Sequence, residues 1–209
     1  MKLGLFGGTF DPVHRGHIAV ATAAADRFGL DRVLLIPSGF PPHKHTPVGA
    51  PYEDRYRLVE MACGADSRLE PSRLEAPDGS RERHYSVETI ERVRANMGPG
   101  DELFFVIGAD AFAEIGLWKR WQEVIRLVEF IVVSRPDAEP GEPPSGARVH
   151  WLNDVHVPIS STEIRQGLRQ GRDLDAALTP AVAEYIRNNQ LYGWPSNENR
   201  AGPSQAALG

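Results

Sequence analysis

The chain has 209 residues, of which 41% are hydrophobic, with a formal net charge of −5 and one cysteine; that length buries one sizeable core but rarely two, so one domain is expected over 1–193, with 194–209 as a polar, disordered tail. The acidic balance argues against a nucleic-acid-binding face while leaving room for small anionic ligands, and the lone Cys63 excludes an internal disulfide or a cysteine-rich metal site. No run approaches the eighteen or so apolar residues of a membrane span, and Met1–Phe10 is too short for a secretory signal, so a soluble, cytoplasmic protein with no membrane partner is expected, its oligomeric state open.

In chain order, "KLGLFG" reads as a strand, "GTFDPVH" as a loop, and Gly16–Phe28 as an alanine-rich helix ended by Gly29. There follow a strand "RVLLIP", a helix over Tyr52–Cys63, an extended stretch "SRLEPSRLEA" and a helix over Ser86–Met97. Next come the strand "ELFFVIG", a helix over Trp121–Leu127 and the strand "EFIVVS". The proline-rich "RPDAEPGEPPSGAR" forms a surface loop rather than a domain boundary. Short strands "RVHWL" and "VHVPI" precede helices over Ser161–Gln170 and Pro180–Asn189, the second capped by Thr179 with proline at its first position. Strands alternating with helices predict an α/β fold: a Rossmann-like, doubly wound parallel sheet with a small C-terminal helical part. Near-uniform apolar runs such as "LFFVI" suit strands covered on both faces. Ligands of such sheets lie beyond the carboxyl ends of the strands, where strand order switches.

At one such end stand His14 and His17, at a predicted helix start behind Gly7 and Gly8. Unpaired amides and the helix dipole favour an anion there, and glycines let backbone approach a phosphate. No Gly-Lys-Ser/Thr follows, so this is not a P-loop, and the spacing is not that of a dinucleotide fingerprint. The imidazoles can donate to phosphate oxygens, cap the helix or fill the core, and residue types alone leave these readings open. A zinc pair would need further ligands that no nearby acidic pair supplies. A second helix start, "PISSTEIRQG", pairs Ser160 with Glu163 as a capping box and crowds Ser161, Thr162 and Arg165 into one turn. By itself it is also compatible with an ordinary capped helix.

Together "GGTFDPVHRGH" and "ISSTEIR" resemble the paired HxGH and ISSTxxR signatures of the nucleotidyltransferase superfamily. With "PSGFPPHK", "HYSVETI", "VIGAD" and "LWKRW" in this order, residues 1–193 resemble bacterial nicotinate-nucleotide adenylyltransferase. The resemblance implies transfer of the adenylyl group of ATP to nicotinate mononucleotide, without a covalent enzyme intermediate and with Mg2+ carried by ATP phosphates rather than by side chains. It places Gly7, Gly8, Thr9, Phe10, His14, His17, Gly108, Asp110, Ser161, Thr162 and Arg165 at ATP, with His14, His17 and Arg165 catalytic. It places Ser38, Lys44, Ser86, Thr89, Trp118 and Lys119 at nicotinate mononucleotide, Trp118 stacking on the pyridine and the Lys119 backbone and Ser86 or Thr89 near its carboxylate. Gly39 and Phe40 depart from the more polar residues frequent in that loop. Phosphopantetheine adenylyltransferase shares both signatures but is shorter and lacks the "YSVETI" and tryptophan motifs. A class I aminoacyl-tRNA synthetase needs more chain than this, and a silent nucleotide sensor would bind ATP without turnover.

Overall fold

Strands β1 (Lys2–Gly8), β2 (Arg32–Pro37), β3 (Leu69–Pro71), β4 (Glu102–Gly108), β5 (Glu129–Val133) and β6 (Arg148–Leu152) form one sheet in the order β3-β2-β1-β4-β5-β6. Every pairing is parallel. This is a computed structural model describing residues 1–40, 48–78, 84–134, 141–155 and 158–195. From β1 the chain winds outward through β2 and β3, then returns to lay β4 against the other side of β1 and winds outward again. The strand order therefore switches between β1 and β4, and the crevice beyond Gly8 and Gly108 is where such a sheet receives ligands.

Strand alternation sends successive side chains to opposite faces, so β4 feeds two cores. Phe104 and Val106 join the cluster under α1 (Arg15–Phe28), α2 (Tyr52–Cys63), α6 (Ser161–Arg169) and α7 (Pro180–Asn188). Leu103, Phe105 and Ile107 join the cluster under α3 (Ser86–Arg94), α4 (Ala109–Ala113) and α5 (Trp121–Leu127). Helix α1 packs closely because its buried face is Gly16, Ala21, Ala24 and Ala25, and Gly29 ends it at φ 62° in the left-handed region. Thr179 caps α7 through Val182 N at 3.5 Å with Pro180 at the first position, as the sequence predicts.

Several expected boundaries move. The stretch "SRLEPSRLEA" pairs only over Leu69–Pro71, since Pro71 lacks an N–H and β3 is an edge strand. Helix α3 ends at Arg94 rather than Met97, because Asn96 N and Met97 N turn back three residues to Val93 O and Arg94 O ahead of Gly98 and Pro99. Residues 156 and 157 of "VHVPI" lie outside the described residues, and its Val155, Pro158 and Ile159 are not in a strand. Trp194, expected to open a tail, is 6% exposed and packed into the core under α7, so the packed body reaches past residue 193; residues 196–209 lie outside the described residues. Among the described residues no helix is long and apolar enough to cross a membrane.

Candidate active site

Two cavities open at the switch point and share Gly108. The larger, about 810 Å³, is walled by His14, His17, Gly108, Asp110, Ser160 and Glu163, among others. The smaller, about 380 Å³, is walled by Gly7, Gly8, Thr9, Ser38, Glu75, Ser86, Thr89, Trp118 and Lys119, among others. The glycine loop thus faces the smaller space while the histidines face the larger.

The histidines are placed by the entry into α1. His14 is the residue before its first turn, with an extended backbone at φ −144° and ψ 170°, and His17 lies three residues on. Their rings stack at 3.7 Å and 27°. His17 Nδ1 accepts from the His14 backbone N–H at 3.2 Å. A neutral imidazole that accepts at one nitrogen carries its proton on the other, so His17 presents an Nε2–H donor. Burial holds both rings neutral: His14 is lowered to about 4, and His17 well below its ordinary value, by desolvation and then by its neighbour His14. His14 Nδ1 is buried without a hydrogen-bond partner among the described residues. Among the described residues that line the larger cavity none is an arginine or lysine, and its wall offers imidazoles and the starts of α1 and α6.

Phe10 supports this arrangement with its ring 5.0 Å from that of His17, edge to face, and is itself 2% exposed. Its φ of 47° is unusual for a bulky residue and folds the ring back over Gly8, where a Cβ would stand 3.1 Å from Phe10 Cζ. A side chain at position 8 would therefore crowd the Phe10 ring, a packing reason distinct from the phosphate approach that its sequence position suggests. At Gly7 a Cβ would meet only ordinary contact, 3.9 Å from Phe105.

The second helix start docks on the same loop. Ser160 Oγ caps α6 by accepting from Thr162 N at 3.2 Å. Ser161 Oγ donates to Pro12 O at 3.1 Å, and Arg165 donates to Asp11 O at 2.8 Å and to Thr162 Oγ1 at 3.3 Å. Asp11, 2% exposed, accepts from Gly49 N at 2.8 Å and Ala50 N at 3.1 Å, with its Oδ2 3.8 Å from Arg165. Ser160 and Glu163 line the larger cavity, whereas Ser161 and Arg165 hold the β1–α1 loop through Pro12 O and Asp11 O. Asp110 lies in the first turn of α4 on the cavity wall, and Gly108 rather than Asp110 occupies the cap position.

In the smaller cavity Trp118 stands edge-on to Phe105 at 5.8 Å, and the Lys119 ammonium is tied to Glu88 at 2.8 Å over the Tyr85 ring. Ser86 opens α3 and Ser38 follows β2, both on the cavity wall. Thr89 is buried, and its hydroxyl donates to Glu75 Oε1 at 3.0 Å. Lys44 lies outside the described residues.

Three residues that shape the site are absent from the sequence expectations: Asp11, Arg55 and Glu75. Arg55, 1% exposed, donates to Thr9 O at 2.6 Å, Ser38 O at 2.8 Å and Ala50 O at 3.2 Å, joining the ends of β1 and β2. Burial lowers its pKa, which the Asp11 carboxylate partly opposes. Its signal is legible, since positions 55, 58, 59 and 62 are one apolar stripe of α2 into which an arginine intrudes. Glu75 follows an edge strand and gives no periodic signal. Among the described residues no group of three or more His, Cys, Asp or Glu side chains is placed to hold a metal.

The cytidylyltransferase-like family model matches residues 5–167. A protein of Solibacter usitatus named probable nicotinate-nucleotide adenylyltransferase is 53% identical over 192 residues, covering 92% of this chain and 100% of that protein. The Moorella thermoacetica protein of the same name is 37% identical, covering 91% of each. The nicotinic acid mononucleotide adenylyltransferase of Plasmodium falciparum, solved in complex with NaAD, superposes with a TM-score of 0.75 over 93% of this chain and 98% of that one, a likeness of fold at 17% identity. Fold, paired helix starts and sequence agree: the chain belongs to the nicotinate-nucleotide adenylyltransferase family of cytidylyltransferase-like proteins.

Proposed function

We propose that the chain, acting in the cytoplasm, transfers the adenylyl group of ATP to nicotinate mononucleotide, yielding nicotinate adenine dinucleotide and pyrophosphate. The observation that carries this reading is the meeting of two chemically different cavities at Gly108, one lined by the histidine pair and the other by Trp118, Ser86 and Thr89. ATP enters the larger cavity as its magnesium complex, the cation held chiefly by phosphate oxygens and water. Asp110 faces the ribose hydroxyls, and the reacting phosphorus lies between the cavities near Gly8, Thr9 and Phe10. The mononucleotide sits with its pyridine against Trp118 and its phosphate directed at that phosphorus.

The nucleophile is a phosphate anion already, so no general base is required and the enzyme's task is positioning and charge stabilisation. Attack forms a phosphorus–oxygen bond to the incoming phosphate as the bond to pyrophosphate breaks. His17 Nε2–H donates to an oxygen on which charge grows, and His14 lies stacked beside it. Arg165, Ser161 and Thr162 order the loop beneath the leaving group and meet pyrophosphate on its way out. Pyrophosphate release is the test: purified protein with magnesium, ATP and nicotinate mononucleotide should release it stoichiometrically with dinucleotide. Release with pantetheine phosphate and not with the mononucleotide would assign the other adenylyltransferase.

A further inference from the structure

Glu75 has no part in the mechanism above, yet it borders the cavity assigned to the pyridine and shares a hydrogen bond with a residue expected at the substrate carboxylate. Its Oε1 lies 3.0 Å from Thr89 Oγ1, and both residues line the 380 Å³ cavity with Ser38, Ser86 and Trp118. A hydroxyl owns one proton. While Glu75 is ionised, Thr89 spends that proton on it and can offer an incoming carboxylate only lone pairs, beside a like charge. Once Glu75 is neutral, its own O–H can donate to Thr89, and the threonine proton turns to the substrate.

We propose that the acid mononucleotide is accepted only when Glu75 is neutral, so that its binding carries one proton into the site, whereas the amide, which brings its own N–H donors, binds without one. This inference rests on the substrate assignment above and adds to it how acid is told from amide.

The contacts around Glu75 favour its charged form, and burial opposes them. From α3, Thr89 donates to it, and Arg92 attracts it from a position where its Nη1 is bound to Leu74 O at 3.0 Å. From the end of β2, Ser38 is a hydrogen-bond partner. Across the cavity Lys119 is already paired with Glu88, while His84 and Tyr85 share the wall. On its own segment Arg73 is paired with Glu53. Burial outweighs these contacts and pushes the Glu75 carboxyl up to about 7. An anion bound beside it raises it further, so protons are taken up on binding, and affinity for the acid is lost as pH rises through neutrality.

The test is the acid-to-amide ratio of kcat/KM, measured from pH 6 to 8 at saturating magnesium–ATP; the 5′-phosphate common to both substrates cancels. In the wild type the ratio should fall about tenfold over that range, following the neutral fraction of Glu75. In Glu75→Gln, whose amide donates to Thr89 at every pH, the ratio should stay high and flat. A flat wild-type ratio overturns the proposal; the absence of turnover with either mononucleotide overturns the substrate assignment instead. Should Glu75→Gln not fold, calorimetry of wild-type binding at pH 8 in two buffers of different ionisation heat should count about one proton taken up with the acid beyond the amide. His84→Gln should keep that uptake. No excess uptake, or its loss in His84→Gln, contradicts the proposal.

Discussion

Each cavity holds a buried group pushed toward its neutral form, a histidine in the larger and a carboxyl in the smaller. On the larger side desolvation lowers His14 to about 4, leaving imidazoles that donate without carrying charge. On the smaller side desolvation lifts Glu75 to about 7, leaving a carboxyl that is close to giving up its proton at physiological pH. On the assignment proposed above, one physical cause, loss of water around the charged form, suits one space to phosphates and the other to a pyridine acid. In the phosphate space the ligand brings the charge, and a neutral N–H waits for charge that develops during transfer. In the pyridine space the neutral acid removes a repulsion.

The sharpest way to break the contrast is on the phosphate side. His17→Ala should fold and lose about 10² to 10³ in kcat, the usual consequence of deleting one preorganised donor, with a smaller change in KM. A near wild-type kcat in steady-state assays removes the histidine from catalysis. Next in size is Arg55→Met, which takes a cation from three carbonyls, those of Thr9 and Ser38 after β1 and β2 and that of Ala50 ahead of α2. Leaving buried acceptors unpaired should cost about 3 kcal/mol in denaturant unfolding, with both mononucleotide and ATP binding weakened. Unchanged stability would show that water replaces the guanidinium.

The two cavities should also tilt the pH dependence of stability in opposite directions. The unfolded His14 titrates near its ordinary 6.5 and the folded one at about 4, so between these values the unfolded state binds more protons and stability rises with pH. His14→Gln should lower that limb by on the order of 3 kcal/mol and leave the part that His17, also lowered by burial, supplies. Glu75 acts the other way: raised from its ordinary 4.5 to about 7, it makes the folded state the proton binder, and stability falls with pH across that window. Because the two windows overlap, stability of Glu75→Gln should rise with pH more steeply than that of the wild type, and a wild-type curve untouched by either substitution contradicts the burial argument. Smallest is Trp118→Ala, expected to weaken acid and amide mononucleotides alike by about 0.5 to 1.5 kcal/mol beyond lost area, without reversing a preference of roughly tenfold or more for the acid. A reversal in competition assays would move the carboxylate elsewhere.

The helices other than α4 and most strands were legible because each carries its own period or cap: the β-branched and aromatic runs of β4 and β5, the left-handed Gly29, the Thr179–Pro180 start. The histidine pair and the Ser160–Arg165 turn were legible for the same reason, as local patterns at helix starts. What the sequence hid depends on contacts between distant segments. Gly8 lies under the ring of Phe10, a contact set by a left-handed backbone at Phe10. Asp11 acts through Gly49, Ala50 and Arg165, and Glu75 through Thr89, fourteen residues away on another element. Trp194 sits among polar neighbours in sequence yet is buried under α7, since Gly193 at φ 76° turns the chain back onto the core. Arg55 is intermediate, visible as an interruption of an apolar stripe and silent about its partners.

The most direct measurement is a single-turnover assay with enzyme in excess over magnesium–ATP labelled in its α-phosphate, at pH 7, with nicotinate mononucleotide present or absent. The account predicts that label appears in nicotinate adenine dinucleotide together with one equivalent of pyrophosphate, that neither forms without the mononucleotide, and that no label is found on the protein. ATP bound without pyrophosphate release, or label covalently attached to the chain, contradicts direct adenylyl transfer between the two cavities.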